Sequence, residues 1–409
     1  MRVLFVSAWF PYPPDNGSRI RAYNLIRSLS SRHQVYLVSL LQEDSLRENA
    51  EHLSGICEVV SLHESRWFVP GTAKSVLGFF SPRPRSCVDT YDPSVSAAVA
   101  EAIRRVWPDV VIASTLGVVE YIPRHLATPT VLDEHNCEYA VLKRNAEGQV
   151  GVVKQLRYGL RWRKFARWEA SVCRGFDCVV MVSEKDREML LAVAPDLEEV
   201  RVVPNGVDTD YYDCGGRSPE PNALLYNGAL TYGANLDAVR YYARRIYPAL
   251  ERRLPGTKLR VTGRAQGVDL SGIADSSGVE LTGYVSDIRD VLRRSLVCIV
   301  PLQQGGGSRL KILEAMASGL PVVSTSVGAE GIECTDGENI LISDTPEGFA
   351  EWVARLVADA DLSARISRSA RRLVEEKYSW RMIGGAFTDI VESVAGRKPT
   401  RSVRRGSGT

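Results

Sequence analysis

Short apolar runs alternate along this chain with longer stretches in which apolar residues recur every three or four positions. Five runs in the first half are too short and too uniformly apolar for surface helices, and they predict buried strands at 3–8, 34–40, 109–114, 130–133 and 178–183. Amphipathic stretches between them, such as 18–31 and 153–173, predict helices. Because strand and helix alternate, the pattern is typical of an α/β fold with a parallel sheet covered on both faces.

A break in this pattern divides the chain in two. The run VRVVPNGVD (200–208) closes the first series, and the segment 215–222 is rich in Gly, Pro and Ser. A second alternation follows, with predicted strands at 223–228, 258–263, 279–283, 297–302 and 321–325 and helices at 236–254, 287–294, 308–318, 346–358 and 362–377. We therefore expect an N-terminal domain over 1–205 and a second domain over 206–379. Residues 380–396 have no strand to lead into and should complete the first domain as a helix, and the basic tail 397–409 should be disordered.

Composition narrows the class of protein. The 409 residues suit two domains, and 44% hydrophobic with 24% charged residues is the balance of a soluble globular enzyme. The net charge of +2 does not indicate binding to nucleic acid. The eight cysteines are scattered without metal-ligand spacing, and several lie in apolar runs, which predicts a cytoplasmic protein without disulfides. No apolar run approaches the roughly 18 residues of a membrane span.

The segment PLQQGGGSRLKILEAMASGLPVVST (301–325) carries the most specific chemistry. Three glycines follow a predicted strand and allow a ligand to approach the backbone, and a helix predicted to begin near Ser308 would direct free N–H groups at it, which favours a phosphate. Lys311 and Glu314 are three residues apart on this otherwise apolar helix. They are either ligand-binding groups or an intrahelical pair on a solvated stripe, and the glycines favour the former.

The same segment, from Gly305 to Val323, resembles the donor-site signature of the retaining glycosyltransferases of family 4, which have the GT-B fold. PDNGSRIR (14–21) resembles the glycine loop of that family, PNGVD (204–208) its interdomain link, and EKYSW (376–380) the segment before its last helix. The resemblance spans nearly the whole chain in order. It implies two Rossmann-like, doubly wound domains facing across a cleft, with the last helix crossing back to the first.

The resemblance also implies roles for particular residues. Glu314 matches the glutamate that binds the donor's ribose hydroxyls, whereas Gly306 stands where the family has a further glutamate. Ala229 and Asn235 stand where a diphosphate-binding Arg and Lys are common, so Arg309 and Lys311 are expected to supply that positive charge. The donor-binding residues expected in this way are Gly17, Gly228, Gly305, Gly306, Gly307, Ser308 and Glu314.

A polar cluster, LDEHNCEY (132–139), follows a predicted core strand of the first domain. His135 is a candidate to orient the acceptor or to hydrogen bond the sugar, and with Arg309 and Lys311 it completes the expected catalytic set. The alternative is loop capping by Asp133 and Asn136 with an exposed histidine. Arg21, on the first helix, is expected to lie on a solvated face.

The function implied is transfer of a sugar from a nucleotide-diphosphate sugar to an acceptor hydroxyl with retention of configuration. No metal or other cofactor is required, and the acceptor is a glycan, a lipid-linked intermediate or a natural product. Two alternatives share the fold: a nucleotide-sugar epimerase, and an inactive subunit that binds a partner. A dinucleotide oxidoreductase ranks lower, since no G-x-G-x-x-G follows any predicted strand. The oligomeric state stays open.

Two segments of the first domain carry unassigned features. The aromatic-rich stretch 65–92 is expected to shape the acceptor site. The stretch 154–174 is strongly basic, and its favoured interpretation is a helix with a core stripe of Leu156, Leu160 and Phe165 and a solvated basic face. The alternative is peripheral contact with the inner face of a membrane.

Overall fold

The structure, a computed structural model, describes residues 1–124, 126–147, 151–213, 216–273, 276–305 and 309–397. It divides into two compact units, one formed by Met1–Pro204 with Gly384–Thr409 and the other by Asn205–Ile383. Two parallel sheets covered by helices, one in each unit, account for the architecture. The fold class predicted from the alternation of strands and helices is confirmed.

The first unit is built on a parallel sheet with seven strands in the described residues, in the order β3-β2-β1-β4-β5-β6-β7. Its strands are β1 (Arg2–Ser7), β2 (Gln34–Leu41), β3 (Glu58–Glu64), β4 (Val110–Ser114), β5 (Thr130–Asp133), β6 (Cys178–Met181) and β7 (Val200–Val202). Its helices are α1 (Gly17–Ser30), α2 (Ala73–Leu77), α3 (Arg85–Thr90), α4 (Pro93–Val106), α5 (Glu138–Glu147), α6 (Val152–Cys173) and α7 (Glu184–Val193). Strands β4, β5 and β6 are buried throughout, as central parallel strands must be.

The second unit repeats this plan with six parallel strands in its described part, in the order β10-β9-β8-β11-β12-β13. The strands are β8 (Ala223–Asn227), β9 (Lys258–Thr262), β10 (Val279–Gly283), β11 (Val297–Val300), β12 (Val322–Ser324) and β13 (Leu341–Ile342). The helices are α8 (Gly233–Tyr241), α9 (Tyr247–Glu251), α10 (Ile288–Arg294), α11 (Leu310–Ala317), α12 (Ser326–Ala329), α13 (Pro346–Ala358), α14 (Ala360–Leu373) and α15 (Trp380–Ala395). A π-helical turn, Tyr242–Ile246, joins α8 to α9, so the long helix predicted at 236–254 is present with an irregular centre.

The last helix, α15, ends in the first unit. From Gly384 onward it lies against α1, where the hydroxyls of Ser28 and Thr388 are 3.2 Å apart and Arg32 pairs with Asp389 at 2.7 Å. The predicted return of this helix is confirmed. The predicted tail lies outside the described residues from position 398 onward.

The sequence pattern did not predict two edge strands, β3 and β13. Strand β3 has no fully buried residue, and β13 is two residues long, so neither produces the uniform apolar run that marks the central strands. No helix in the described ranges combines the length and the apolar character needed to cross a bilayer.

Candidate functional site

The site in the second unit forms where the order of its strands reverses. Strand β8 pairs with β9 on one side and with β11 on the other, so the loops after β8 and β11 diverge from neighbouring carboxyl ends. In open α/β sheets this switch point is where ligands bind. The loop after β11 leads into α11, which carries Lys311 and Glu314.

Lys311 extends from α11 to the end of β8. Its ammonium donates hydrogen bonds to the Tyr226 hydroxyl at 3.0 Å and to Asn235 Oδ1 at 2.9 Å, and it lies 4.1 Å from the centre of the Tyr226 ring. Tyr226 in turn donates to Asn235 Oδ1 at 2.8 Å. Asn235 is one of the two positions at which the family commonly has a cation. The Lys311 charge therefore arrives beside that position from a different helix.

Burial lowers the pKa of the Lys311 ammonium to about 7, and the nearby Arg309 guanidinium acts in the same direction. The Glu314 carboxylate acts in the opposite direction, but burial has the larger effect, so this lysine loses its proton more easily than an exposed one. An anion placed beside it would favour the charged form. The arrangement is therefore suited to a group such as a phosphate.

Glu314 lies one helical turn beyond Lys311 and contacts different partners. Its Oε2 accepts a hydrogen bond from Asn227 Nδ2 at 2.8 Å, and the Tyr212 hydroxyl also donates to the carboxylate. Burial raises the pKa of the Glu314 carboxyl, while both hydrogen bonds oppose that shift. Since Lys311 and Glu314 are each held by side chains from outside α11, the simple intrahelical pair weighed for them is not their arrangement.

Gly228 lies against the ends of two side chains of the site. A Cβ added there would lie 2.6 Å from Lys311 Nζ and 2.8 Å from Asn235 Nδ2. Gly305 has φ +135°, a left-handed conformation that favours glycine, and an added Cβ would lie 3.1 Å from Arg309 Nη2. Arg309 is 6% exposed. Helix α11 begins at Leu310, two residues later than expected, and Gly306, Gly307 and Ser308 lie outside the described residues.

In the first unit, Arg21 is buried rather than solvated, so the expectation for it was wrong. Its Nη2 lies 2.6 Å from Asp133 Oδ1, and its Nη1 donates to the carbonyl oxygens of Val203 and Pro204 at 3.0 and 3.1 Å. Burial alone would raise the pKa of the Asp133 carboxyl, but Arg21 and His135 lower it to about 2. Asp133 is thus the buried counterion of Arg21, and the alternative that it caps a loop was also wrong. Gly17 is the first residue of α1, the helix that carries Arg21, and it follows the N-cap Asn16.

His135 joins this ion pair to the neighbouring strand. Its Nε2 lies 3.1 Å from Asp133 Oδ2 and 3.2 Å from Ser114 Oγ, at the paired ends of β5 and β4. The ring is 9% exposed, so it is not the freely exposed histidine of the alternative interpretation. The carboxylate fixes the tautomer and the orientation of the ring.

Glu134, between these residues, forms a carboxyl pair with Glu169 of α6. Burial raises the pKa of Glu134 well above its usual range, and the charge of Glu169 acts in the same direction. A hydrogen bond between two carboxyl groups needs a proton, and Glu134 supplies it, because Glu169 accepts the backbone N–H groups of Glu138 and Tyr139 at 2.9 and 2.8 Å. The pair anchors the start of α5 behind His135.

A cavity of about 260 Å³ opens beside the strand ends of the first unit, near β1, β2 and β4. Half of its lining residues are aromatic or charged: Trp9, Glu64, Arg66, Trp67, Phe68, Asp92 and Tyr121. Arg66 and Asp92 form an ion pair at 2.7 Å. Trp67 and Phe68 therefore lie where the stretch 65–92 was expected to shape a site, whereas Phe79 and Phe80 do not line this cavity.

Family models match the sequences of both units. Residues 15–211 match the family model described as Glycosyltransferase Family 4, and residues 221–359 match the model described as Glycosyl transferases group 1. Together the two models span most of the chain in the expected order. The chain belongs to the GT-B glycosyltransferases.

Relatives and solved structures agree with this assignment. A protein of Klebsiella pneumoniae, described as an uncharacterized 44.6 kDa protein in the cps region, is 23% identical over 92% of this chain and 96% of its own. GDP-mannose:cellobiosyl-diphosphopolyprenol alpha-mannosyltransferase of Xanthomonas oryzae is 24% identical over 53% of this chain and 59% of its own. Among solved structures, the Anabaena protein Alr3699/HepE in complex with UDP-glucose shares the fold with a TM-score of 0.68, at 16% identity over 96% of this chain and 100% of its own.

Sequence reasoning missed several residues around this glycosyltransferase's candidate sites. Tyr212, Tyr226 and Asn227 were not predicted as site residues, because a single tyrosine or asparagine near a strand end is common. Asn235 was noticed only as a missing cation. The buried pair of Arg21 and Asp133 joins residues 112 positions apart, and local periodicity does not report such a contact.

Proposed function

We propose that this protein transfers a sugar from a nucleotide-diphosphate sugar to an acceptor hydroxyl and retains the configuration at the anomeric carbon. The observation that carries the proposal is the Lys311 ammonium, held beside Gly228 and Asn235 at the switch point of the second sheet. A buried cation whose pKa is lowered to about 7 is a site for an anion, and the adjoining Glu314 carboxylate can accept hydrogen bonds from sugar hydroxyls.

The donor's diphosphate would bind at Lys311 and Arg309, and its ribose at Glu314. Glycine at 228 and at 305 leaves space for these cations to reach the phosphates. No metal is required in this proposal, since two cationic side chains and the start of α11 offset the charge of the leaving group.

In the chemical step the acceptor oxygen forms a bond to the anomeric carbon while the bond from that carbon to the diphosphate oxygen breaks. Attack occurs on the face from which the diphosphate leaves, and the acceptor proton passes to a leaving phosphate oxygen. Lys311 and Arg309 stabilise the charge that develops there. His135 orients the sugar: with its Nε2–H directed at Asp133, its Nδ1 can accept a hydrogen bond from a sugar hydroxyl, and no proton is transferred to it.

The acceptor we propose is a glycan or a lipid-linked sugar that enters the cavity of the first unit. Aromatic rings beside carboxylates and an arginine are suited to a sugar, which has apolar C–H faces and many hydroxyls. Relatives support this class. The Xanthomonas relative is named for a diphosphopolyprenol-linked acceptor, and a Rhizobium meliloti relative is a lipopolysaccharide core biosynthesis glycosyltransferase.

The first experiment is a thermal-shift titration with UDP, GDP, ADP and dTDP. A diphosphate present at about 100 times its Kd should add about 2.7 kcal/mol to the free energy of unfolding. We expect one nucleotide to act, and its Kd to rise at least about tenfold in Lys311→Met, which loses the charge, and in Gly228→Ala, whose methyl displaces the ammonium. Gly55→Ala is the matched control, because its Cβ would meet nothing within 4 Å.

A turnover assay then separates the alternatives. Release of nucleotide that depends on an acceptor supports transfer, whereas conversion of the donor without an acceptor would identify an epimerase. No stabilisation by any nucleotide in the folded protein would make the protein a binding subunit and would contradict the roles of Arg309 and Lys311. An inverted anomeric product would contradict retention alone.

A further inference from the structure

An apolar patch covers part of the first unit without being packed into it. The patch consists of Leu77 at the end of α2, Phe79 and Phe80 just after it, and Leu156 and Leu160 of α6. Phe80 is 87% exposed and each of the others is more than 60% exposed. The expected core stripe of α6 was therefore wrong for Leu156 and Leu160, which face solvent. Large apolar side chains gathered on a surface mark an interaction site.

One contact makes these two segments a single surface. Lys164 Nζ of α6 donates a hydrogen bond to the carbonyl oxygen of Gly78 at 2.8 Å. Leu160 and Leu156 lie four and eight residues before Lys164, on the same face of the helix. The leucine stripe thus begins beside the loop that carries Phe79 and Phe80, and Arg85 stacks on Phe79 with its guanidinium carbon 3.8 Å from the ring centre.

Both segments that form the patch also carry positive charge, most of it on α6. From 151 to 168 the chain has no acidic residue, and it carries Lys154, Arg157, Arg161, Arg163, Lys164 and Arg167. The segment 66–88 adds Lys74 and Arg85, whereas its Arg66 and Arg83 form ion pairs with Asp92 and Glu120. Trp162 lies among these basic residues of α6, and the guanidinium carbon of Arg163 is 4.7 Å from the centre of its ring. Apolar residues inside a basic field, with an amphipathic aromatic at the border, are the composition of a surface that enters the headgroup region of a membrane.

The charge decides between a membrane and a second copy of the chain. A two-fold contact would place the same basic patch on both sides of the interface, and like charges would oppose it. An anionic bilayer offers negative headgroups to the basic residues and acyl chains to Phe79, Phe80 and the leucines. Each lysine or arginine near such a surface adds to the attraction.

We propose that this patch docks the first unit onto an anionic lipid bilayer. Phe79 and Phe80 enter the interface, α6 lies along it, and the basic side chains contact the headgroups. The inference uses only residues of the first unit, so it holds whether or not the donor site acts as proposed. For a transferase it would bring the enzyme to acceptors that are anchored in lipid.

The test is co-sedimentation of the full chain with vesicles of phosphatidylglycerol and phosphatidylcholine, compared with vesicles of phosphatidylcholine alone. We expect binding to the anionic vesicles that weakens as salt rises. Phe79→Ser with Phe80→Ser, and separately Leu156→Ser with Leu160→Ser, should weaken binding at least tenfold. Arg157→Gln with Arg161→Gln should reduce the salt dependence. These side chains are exposed, so the unfolding temperature should stay near that of the wild type.

Trp107→Asn is the matched control, since Trp107 is 73% exposed elsewhere in the same unit and should not affect binding. Every variant keeps the basic C-terminal segment, so differences among them report the patch. Equal binding of the wild type and the Phe79/Phe80 variant would overturn the proposal. Failure of the wild type to bind anionic vesicles more strongly than neutral ones would also overturn it. A concentration-dependent dimer that dissociates in the same variant would assign the surface to a second copy instead.

Discussion

Among single residues, Lys311 has the environment most unlike that of an ordinary surface lysine. The partners of its ammonium are a phenol and a side-chain amide, and the guanidinium of Arg309 lies nearby. Both of these hydrogen-bond partners are neutral, and the Glu314 carboxylate one turn along α11 attracts the charge through space. The free energy of this charge therefore depends on whether an anion is bound, and that dependence is measurable.

We predict that nucleotide diphosphate binds more weakly as the pH rises above 7. The pKa of Lys311 is lowered to about 7 in the free protein, and a bound diphosphate raises it by stabilising the ammonium. Above pH 7 binding therefore requires uptake of a proton, and affinity should fall by up to about tenfold per pH unit until the pKa of the complex is reached. Calorimetry between pH 7 and 8.5, in buffers of different ionisation enthalpy, measures both the affinity and the protons taken up.

Lys311→Met is the control for this pH dependence. It should bind weakly at pH 7 and show little further change up to pH 8.5, because the titrating group is gone. If the wild type binds with equal affinity across this range and takes up no proton, the free ammonium already holds its proton at pH 8.5. The assignment of Lys311 as a readily ionised lysine would then be wrong.

At the scale of elements, two adjacent glycines in α15 show how tightly the last helix packs on the first. A Cβ at Gly384 would lie 2.5 Å from Ser28 Cβ of α1, whereas a Cβ at Gly385 would meet nothing within 4 Å. Glycine at 384 allows the two helices to approach closely. Glycine at 385 only lowers helix propensity.

We predict opposite effects for alanine at these two positions. Gly384→Ala should destabilise the protein by about 1–3 kcal/mol, because overpacking forces α15 away from α1. Gly385→Ala should stabilise it by up to about 1 kcal/mol through helix propensity. Urea unfolding of both variants beside the wild type measures the difference. Equal destabilisation by the two changes would contradict the packing described for α15.

Helix α6 shows where an element-level pattern stops being informative. Apolar residues four positions apart predict that one face of a helix is buried, but the pattern does not say what covers that face. At Phe165 the helix packs against the hydrophobic core of its own unit. The side chains of Leu156 and Leu160 are exposed to solvent instead. The same stripe is therefore core in its second half and surface in its first.

The whole molecule consists of two units, each with its own sheet and core, so local changes should have local effects. Arg21 and Asp133 hold α1 and β5 together inside the first unit, with both side chains almost fully buried. Lys311 and Glu314 form their described hydrogen bonds with residues of the second unit. A charge removed from one unit provides a test of this division.

We predict that Asp133→Asn destabilises the first unit by about 3–5 kcal/mol, because it leaves a buried guanidinium uncompensated. The wild-type contribution should also depend on pH. The folded pKa of about 2 lies below the unfolded value of about 3.9, so this stability is present above pH 4 and is lost as the pH falls toward 2. Hydrogen exchange at neutral pH should accelerate in β1, β4 and β5 of the variant.

The control is within the same molecule. Exchange in β8 and β11 should match the wild type, because those strands belong to the other unit. The variant should also lose the part of the acid-induced destabilisation that falls between pH 4 and pH 2. Equal acceleration in all five strands would show that the two units do not respond separately to this change.

The sequence by itself determined the alternation of strands and helices, the break near residue 205, and the glycine-rich turn before Lys311 and Glu314. These features are local: periodicity and turn chemistry are properties of neighbouring residues. The tertiary structure alone decided which distant groups meet. Arg21 reaches Asp133 across 112 positions and Lys311 reaches Asn235 across 76. It also decided that Leu156 faces solvent, since burial depends on what the rest of the fold places nearby.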